Sequence, residues 1–164
     1  MIEKIVSGGQ TGVDQAGLLV ATEMDIEVGG WCPKGGLDEN GDCILNKYSL
    51  KEATTTNPDE RTKLNIRDSD GTLILVPTWP LPEKIKDGTT LTIKHAEVLQ
   101  KPHLIIKLDD KDNAVDSLRE WINEWDIKVL NVAGPRESNW PGINKECCEL
   151  FQEMFARLKP TCGI

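Results

Sequence analysis

The chain predicts a doubly wound α/β fold, with a mainly parallel five-stranded sheet and helices on both faces. Short β-branched runs alternate with helix-like segments along all 164 residues, which is the pattern of consecutive βαβ units. Two of these runs, 73–76 and 104–106, are apolar without interruption, as is typical of strands buried on both faces. The length suits one domain, which we expect to span residues 1–164.

Five strands and five helices are predicted, and several of the helices have a recognisable start signal. The five expected strands are Ile2–Ser7, Ile26–Gly29, Thr72–Pro77, His103–Leu108 and Lys128–Val132. The five expected helices begin at Val13 after a glycine turn, at Pro58, at Thr89 after Asp87-Gly88, at Ala114 after Asp112, and at Asn144. Helix three is expected to end at Gln100, because the residue before Pro102 is disfavoured in a helix. Numbered along the chain, the expected strand order is 2-1-3-4-5.

Composition limits the partners. The chain has 27 acidic and 19 basic residues and a net charge of −8, so its overall field repels nucleic acid and anionic membranes. It contains neither a long apolar run nor the pattern of a signal peptide. We therefore expect a cytoplasmic protein without a nucleic-acid or membrane partner. The five cysteines form no CxxC pair and lie far from both histidines in the sequence, so no metal site is predicted.

The segment Ser7-Gly8-Gly9-Gln10-Thr11-Gly12 connects the first predicted strand to the first helix. Glycines allow positive φ and close approach of a ligand, and the first amides of a helix are unpaired and carry the positive end of its dipole. The segment therefore predicts a phosphate site, the alternative being a tight turn alone. It matches neither the dinucleotide fingerprint nor the Walker A loop, since Val13-Asp14 follow Gly12.

Two further segments are candidates for the same site. Gly88-Thr89-Thr90 is expected to open the third helix, so that a second helix N-terminus faces the first; the alternative is that Thr89 is only an N-cap. Asp70-Gly71-Thr72 leads into the third strand, where an Asx turn is the alternative. Together with the glycine segment, these residues predict an anion clamp.

An anion site in an acidic protein needs local positive charge, and the candidates are Lys34, Arg61 and Arg136. Arg136 follows a predicted strand and could bind phosphate in a bidentate manner, the alternative being a surface ion pair. Asp14 could orient a ligand hydroxyl, or be favoured there only by the helix dipole. No catalytic triad is visible. The long loops 29–47 and 78–87, with their tryptophans, are expected to be packed lids over the site.

Five segments, taken together and in order, resemble one family. They are 7–14, Gly30-Trp31-Cys32-Pro33-Lys34-Gly35, Arg61-Thr62 with Asn65, 68–72, and Val132-Ala133-Gly134-Pro135-Arg136-Glu137-Ser138. The combination resembles the molybdenum cofactor carrier proteins, within the Rossmann-like nucleotide-sensor and lysine-decarboxylase-like superfamily. The resemblance implies a homo-oligomer, dimer or tetramer, that carries molybdenum cofactor or a related pterin or nucleotide ligand. It also implies a nucleotide-binding type of site at Gly8–Gly12, Asp70–Thr72 and Gly88–Thr90.

The same superfamily suggests an enzyme as the alternative. Its phosphoribohydrolases carry a Pro-Gly-Gly-x-Gly-Thr-x-x-Glu motif, and this chain has Thr92 where the glutamate is expected. Threonine can neither stabilise a cationic sugar nor activate water efficiently. The substitution favours binding of a phosphorylated small molecule over its cleavage. A third alternative is an assembly protein whose tryptophans form an interface.

Overall fold

A computed structural model describes residues 1–158; the last six residues of the predicted domain, 159–164, lie outside the described residues. The structure has a five-stranded, fully parallel sheet flanked by helices, which confirms the predicted fold class. Within the described range, none of the helices combines the length and the apolar character needed to cross a membrane.

The five strands of the main sheet lie close to their predicted positions, whereas two further short strands and a short 3-10 turn were not predicted. The main sheet consists of β1 (Lys4–Val6), β2 (Glu27–Gly29), β5 (Gly71–Val76), β6 (His103–Lys107) and β7 (Val129–Ala133). A second, two-stranded parallel sheet pairs β3 (Trp31–Cys32) with β4 (Lys51–Glu52). The helices of residues 1–158 are α1 (Val13–Glu23), α2 (Pro58–Arg67), α3 (Glu83–Val98), α4 (Ala114–Glu124), α5 (Ile143–Leu158) and a short 3-10 turn (Ile44–Asn46).

The predicted strand order is wrong. The observed order is β2-β1-β7-β5-β6, so the last strand of the chain lies in the middle of the sheet, between β1 and β5. Counting β7 as the first strand gives the order 3-2-1-4-5, which is the Rossmann arrangement with its first strand moved to the end of the chain. An apolar run in the sequence indicates a buried strand, but it does not indicate which two strands will be its neighbours in the sheet.

The predicted start of the third helix is also wrong. Helix α3 begins at Glu83, directly after Pro82, so Gly88, Thr89 and Thr90 lie inside the helix and not at its N-terminus. The backbone of Gly88 does not adopt a positive φ, and a Cβ there would meet no atom. A single glycine therefore does not interrupt a run that otherwise favours a helix. The second helix N-terminus of the predicted anion clamp does not exist at Gly88–Thr90.

The two faces of the sheet have different roles. Leu73 and Leu75 belong to the apolar core that the sheet shares with α1, α4 and α5. Ile74, between them, points to the opposite face, where it lines a cavity together with residues of α2 and α3. Helix α1 packs against α5, and α2 packs against α3. The core thus occupies one side of the sheet, and the α2–α3 side carries the cavity.

We predict that Gly88→Ala stabilises the protein, because alanine favours a helix interior over glycine by about 0.5–1 kcal/mol. The contrasting variant is Gly12→Ala, which is expected to cost more than Gly88→Ala gains. Gly12 has a φ of 79°, and a Cβ there would collide with the carbonyl oxygen of Pro135. Urea unfolding measures both changes. Destabilisation by Gly88→Ala would indicate a turn at that position.

Candidate functional site

A cavity of about 350 Å³ lies at the carboxyl ends of β1 and β7, between α2 and α3. Its lining comes from the glycine segment 7–12, from one side of α2, from one side of α3, and from the chain between residues 131 and 139. In open α/β sheets, ligands bind outside the carboxyl ends of the strands where the winding reverses direction. The cavity occupies that position and is the candidate site.

The glycine segment has two faces, and only one of them meets the cavity. Gly8 and Gln10 line the cavity. Gly9 faces the other way: it has a φ of 76°, and a Cβ at this position would meet the side chain of Ile44. The hydroxyl of Thr11 also faces away, donating a hydrogen bond to Glu39. The structure therefore does not bring all the predicted residues of this segment to one ligand surface.

Three amides that were predicted to hold a phosphate already have acceptors within the segment. The amide of Gly9 donates to Ser7 Oγ at 3.3 Å, and that of Thr11 donates to Gln10 Oε1 at 3.0 Å. The amide of Gln10 donates to Asp14 Oδ2 at 3.2 Å. In this conformation, a side-chain carboxylate occupies the N-terminus of α1. The predicted amide cradle is thus largely filled by the protein itself.

Arg61 provides a fixed positive charge at the cavity wall. Its position follows from the start of α2, where Pro58 is the first helical residue and Asn57 accepts a hydrogen bond from the amide of Asp59 at 3.0 Å. The side chain of Arg61 is 10% exposed, and its Nη1 donates to the carbonyl oxygen of Gly8 at 2.7 Å. Gly8 is needed because a Cβ would collide with the guanidinium.

Asp14 lies beside Arg61, with its Oδ2 3.8 Å from Arg61 Nη1 and its side chain also 10% exposed. Burial raises the pKa of Asp14 from its ordinary value of 3.8 to about 6. The charges of Arg61 and Arg136 and the hydrogen bond from the Gln10 amide oppose this rise in the pKa but do not cancel it. The cavity therefore contains a carboxyl group that titrates near neutral pH.

More accessible cations also line the cavity. Arg136 follows β7 and is 40% exposed, with its Nη1 3.9 Å from Glu39 Oε2. Lys84, at the start of α3, places its Nζ 4.8 Å from the centre of the Trp140 ring. The ionisable residues of the lining are three acids and three bases: Asp14, Asp59, Glu83, Arg61, Lys84 and Arg136. The lining is thus close to electrically neutral, in a protein of net charge −8.

Other predicted site residues lie elsewhere. Asp70 and Gly71 are at the amino end of β5, where Asp70 Oδ2 accepts hydrogen bonds from the amides of Lys128 and Val129 at 3.0 and 2.8 Å. Thr72 is fully buried in the sheet, and the exposed Lys34 is not part of the cavity lining. In a parallel sheet, the amino ends of the strands lie opposite the carboxyl ends. Asp70, Gly71 and Thr72, which the sequence predicts at the ligand site, therefore do not line this cavity.

Residues of α3 reach the cavity from the side of the helix. Gly88, Thr89 and Thr92 line it, whereas Thr90 is exposed and outside the lining. Thr89 and Thr92 are both buried, and the hydroxyl of Thr92 donates to the carbonyl oxygen of Gly88 at 3.1 Å. These threonines add hydroxyl groups to the cavity, without the helix dipole that the sequence predicted.

Three further polar residues line the cavity, and the sequence did not identify any of them as a site residue. Asn65 lines the cavity and is bound to the backbone of Trp31. Its Oδ1 accepts a hydrogen bond from the Trp31 amide at 2.7 Å, and its Nδ2 donates one to the Trp31 carbonyl oxygen at 2.9 Å. Asp59 lies 2.6 Å from His95 Nε2, and this hydrogen bond lowers the pKa of Asp59. Asn131 is buried in β7. Its polarity within an apolar strand was a usable signal, whereas no sequence pattern linked Asp59 to His95.

The predicted lids do not cover the cavity. Loop 29–47 packs on the outer face of the glycine segment, where Glu39 accepts hydrogen bonds from the amide and hydroxyl of Ser138 at 3.1 and 2.5 Å. Cys32 is buried in this region and Trp79 is half exposed in the other loop; neither lines the cavity. In residues 1–158, no three His, Cys, Asp or Glu side chains form a metal-binding group.

Comparisons with known proteins agree with this architecture. The model of the circularly permutated YpsA SLOG family matches residues 5–155. The crystal structure of a candidate molybdenum carrier protein from Syntrophus aciditrophicus SB is 40% identical, with a TM-score of 0.85 over 94% of both chains. No curated protein matches the chain. A circular permutation accounts for the central position of the last strand, β7.

We predict that Asp14→Asn removes a pH-dependent destabilisation. Between about pH 4 and 6, folded wild-type protein keeps a proton on Asp14 that the unfolded chain has released. The wild-type free energy of unfolding therefore falls as the pH rises through this window. Asparagine does not titrate, so the variant should gain up to about 3 kcal/mol relative to wild type between pH 4 and 7.

Urea unfolding at several pH values between 4 and 7 measures this gain. Asp116→Asn is the matched control, because Asp116 is an exposed residue of α4 that pairs with Arg119 at the surface. A difference between Asp14→Asn and wild type that stays constant with pH would contradict the account of Asp14.

Proposed function

The chain belongs to the circularly permutated YpsA SLOG family, and on that premise we propose that it binds and carries a phosphorylated small molecule in the cavity between α2 and α3. The observation that carries this proposal is the grouping of Arg61, Lys84 and Arg136 around one cavity in an acidic protein. The three acidic residues of the lining offset these cations, so the cavity is close to neutral in a protein of net charge −8. An anionic ligand is therefore repelled less there than elsewhere on the surface, and it can pair with the accessible cations.

Arg136 is the best-placed group for the phosphate. Its guanidinium is 40% exposed, and its distance of 3.9 Å from Glu39 is longer than a hydrogen bond. Arginine presents a planar fork of donors that matches two phosphate oxygens. The guanidinium of Arg61, by contrast, is engaged by the carbonyl oxygen of Gly8. In this proposal, Arg136 and Lys84 hold the phosphate, and Arg61 provides a fixed background charge.

The proposed ligand is molybdenum cofactor or a related pterin or nucleotide. The family and the carrier named in the similar structure support this class. The volume of about 350 Å³ is within the range of small-molecule sites, roughly 300–1,000 Å³. Asn131, Asn139, Thr89 and Thr92 offer amides and hydroxyls suited to the polar edges of a flat ring, and Ile74 offers an apolar contact. These features fit a pterin phosphate as cargo.

A second candidate function is cleavage of a nucleoside monophosphate. One observation favours it: Asp14 is a cavity carboxyl with a pKa of about 6, which is a suitable value for a general acid. Thr92 does not favour cleavage, because its hydroxyl donates a hydrogen bond to the carbonyl oxygen of Gly88 and carries no charge that could stabilise a cationic sugar. We therefore place binding without conversion first.

We extend the proposal to a homo-oligomer, dimer or tetramer, that acts in the cytoplasm. Free thiols at Cys32, Cys43, Cys147 and Cys148 support a reducing compartment. The exposed apolar side chains Leu91 and Val98 on α3 support a surface that another copy covers.

Guanosine monophosphate (GMP) is a suitable probe, because it joins a phosphate ester to a ring whose aminopyrimidinone edge resembles that of a pterin. We predict that wild-type protein binds GMP and that Arg136→Ala raises the Kd by about ten- to a hundredfold, since charged hydrogen bonds contribute about 1.5–3 kcal/mol. Isothermal titration calorimetry measures the Kd.

Arg119→Ala is the matched control, because Arg119 is an exposed arginine of α4 that is not part of the cavity lining. It should leave the Kd for GMP unchanged. Equal Kd values for wild type and Arg136→Ala would contradict the assigned phosphate position. Release of free guanine, detected by chromatography, would establish the second function instead.

A further inference from the structure

The buried end of the cavity already contains a charge pair. Asp14 Oδ2 lies 3.8 Å from Arg61 Nη1, and both side chains are nine-tenths buried. The same Arg61 Nη1 donates a hydrogen bond to the carbonyl oxygen of Gly8, so its charge is shared between two acceptors. A ligand that brings a phosphate into this cavity adds a second anion near Asp14. Two neighbouring anions with little water around them favour protonation of one of them.

We propose that Asp14 couples ligand binding to proton uptake, accepting one proton from solvent when an anionic ligand enters the cavity and then facing the ligand as a neutral acid. This inference rests on the proposed binding function and adds a residue role to it. The neutral carboxyl group can donate a hydrogen bond to a ligand oxygen, which the carboxylate cannot do.

The groups facing Asp14 make it the residue that responds. Arg61 faces it from α2 and Arg136 from the chain after β7, and the positive charge of each opposes the rise in the pKa of Asp14. From its own segment, the Gln10 amide and the Ser7 hydroxyl face it, and neither titrates. The other ionisable residues of the lining, Asp59, Glu83 and Lys84, are not among the main causes of the shift in the pKa of Asp14.

The raised pKa of Asp14 allows proton uptake on ligand binding to occur near neutral pH. Its pKa is already raised to about 6 without a ligand. Only a moderate further rise is needed for the bound complex to carry the proton near pH 7. If the proton is required, ligand affinity falls by up to about tenfold for each pH unit above 6.

The test counts the protons taken up when GMP binds. Calorimetry at pH 7.5 in buffers of different ionisation enthalpy gives this number for wild type and for Asp14→Asn. The GMP phosphate and the His95–Asp59 pair are present in both titrations, so their contributions cancel in the difference. We expect wild type to take up between about 0.2 and 1 proton more than Asp14→Asn per GMP bound, because a moderate rise in the pKa of Asp14 leaves its carboxyl group only partly protonated at pH 7.5.

A second readout uses wild-type protein alone and does not depend on the folding of the variant. The carbon-13 shift of the Asp14 carboxyl group, followed from pH 5 to 8, should show that GMP moves its titration midpoint upward. Equal proton counts, or an unmoved midpoint in a protein that binds GMP, would overturn the coupling while leaving the binding function intact. Absence of any GMP binding between pH 5 and 8 would overturn both proposals.

Discussion

The hydrogen bond from buried Arg61 to the carbonyl oxygen of Gly8 is the contact on which the site depends. It joins α2 to the connection between β1 and α1, two parts of the chain that are far apart in sequence. It also requires glycine at position 8, since any side chain would displace the guanidinium. Because the guanidinium is held there, Asp14 can be buried beside a positive charge at the base of the cavity.

This contact changes the role of the glycine segment. The amides of Gly9, Gln10 and Thr11 donate to side-chain oxygens of nearby residues, so they are not free to bind a ligand in this conformation. The segment instead helps to position the side chains at the cavity. On its outer face, Thr11 and Glu39 connect it to a neighbouring loop. On its inner face, the charges of Arg61 and Arg136 remain directed at the cavity. The positive potential that an anionic ligand would meet comes from these guanidinium groups.

The sequence predicted local features well and long-range arrangement poorly. Val13, Pro58 and Ala114 start their helices as expected, because glycine turns and proline at the first helical position act within a few residues. The position of β7 between β1 and β5 depends on contacts between strands that are distant in sequence, and no local sequence pattern predicts those contacts. Gly88 was misjudged because a glycine permits a turn without requiring one.

The most direct test of the account is a nuclear magnetic resonance titration of nitrogen-15-labelled protein with GMP. The account predicts that the amide signals of Gly8, Thr89 and Arg136 shift together, since these residues line one cavity although they are distant in sequence. It also predicts that the amide of Gly71, at the amino edge of the sheet, does not shift. Shifts confined to that edge, or to the separate hollow lined by Met24, would contradict the assignment of the site.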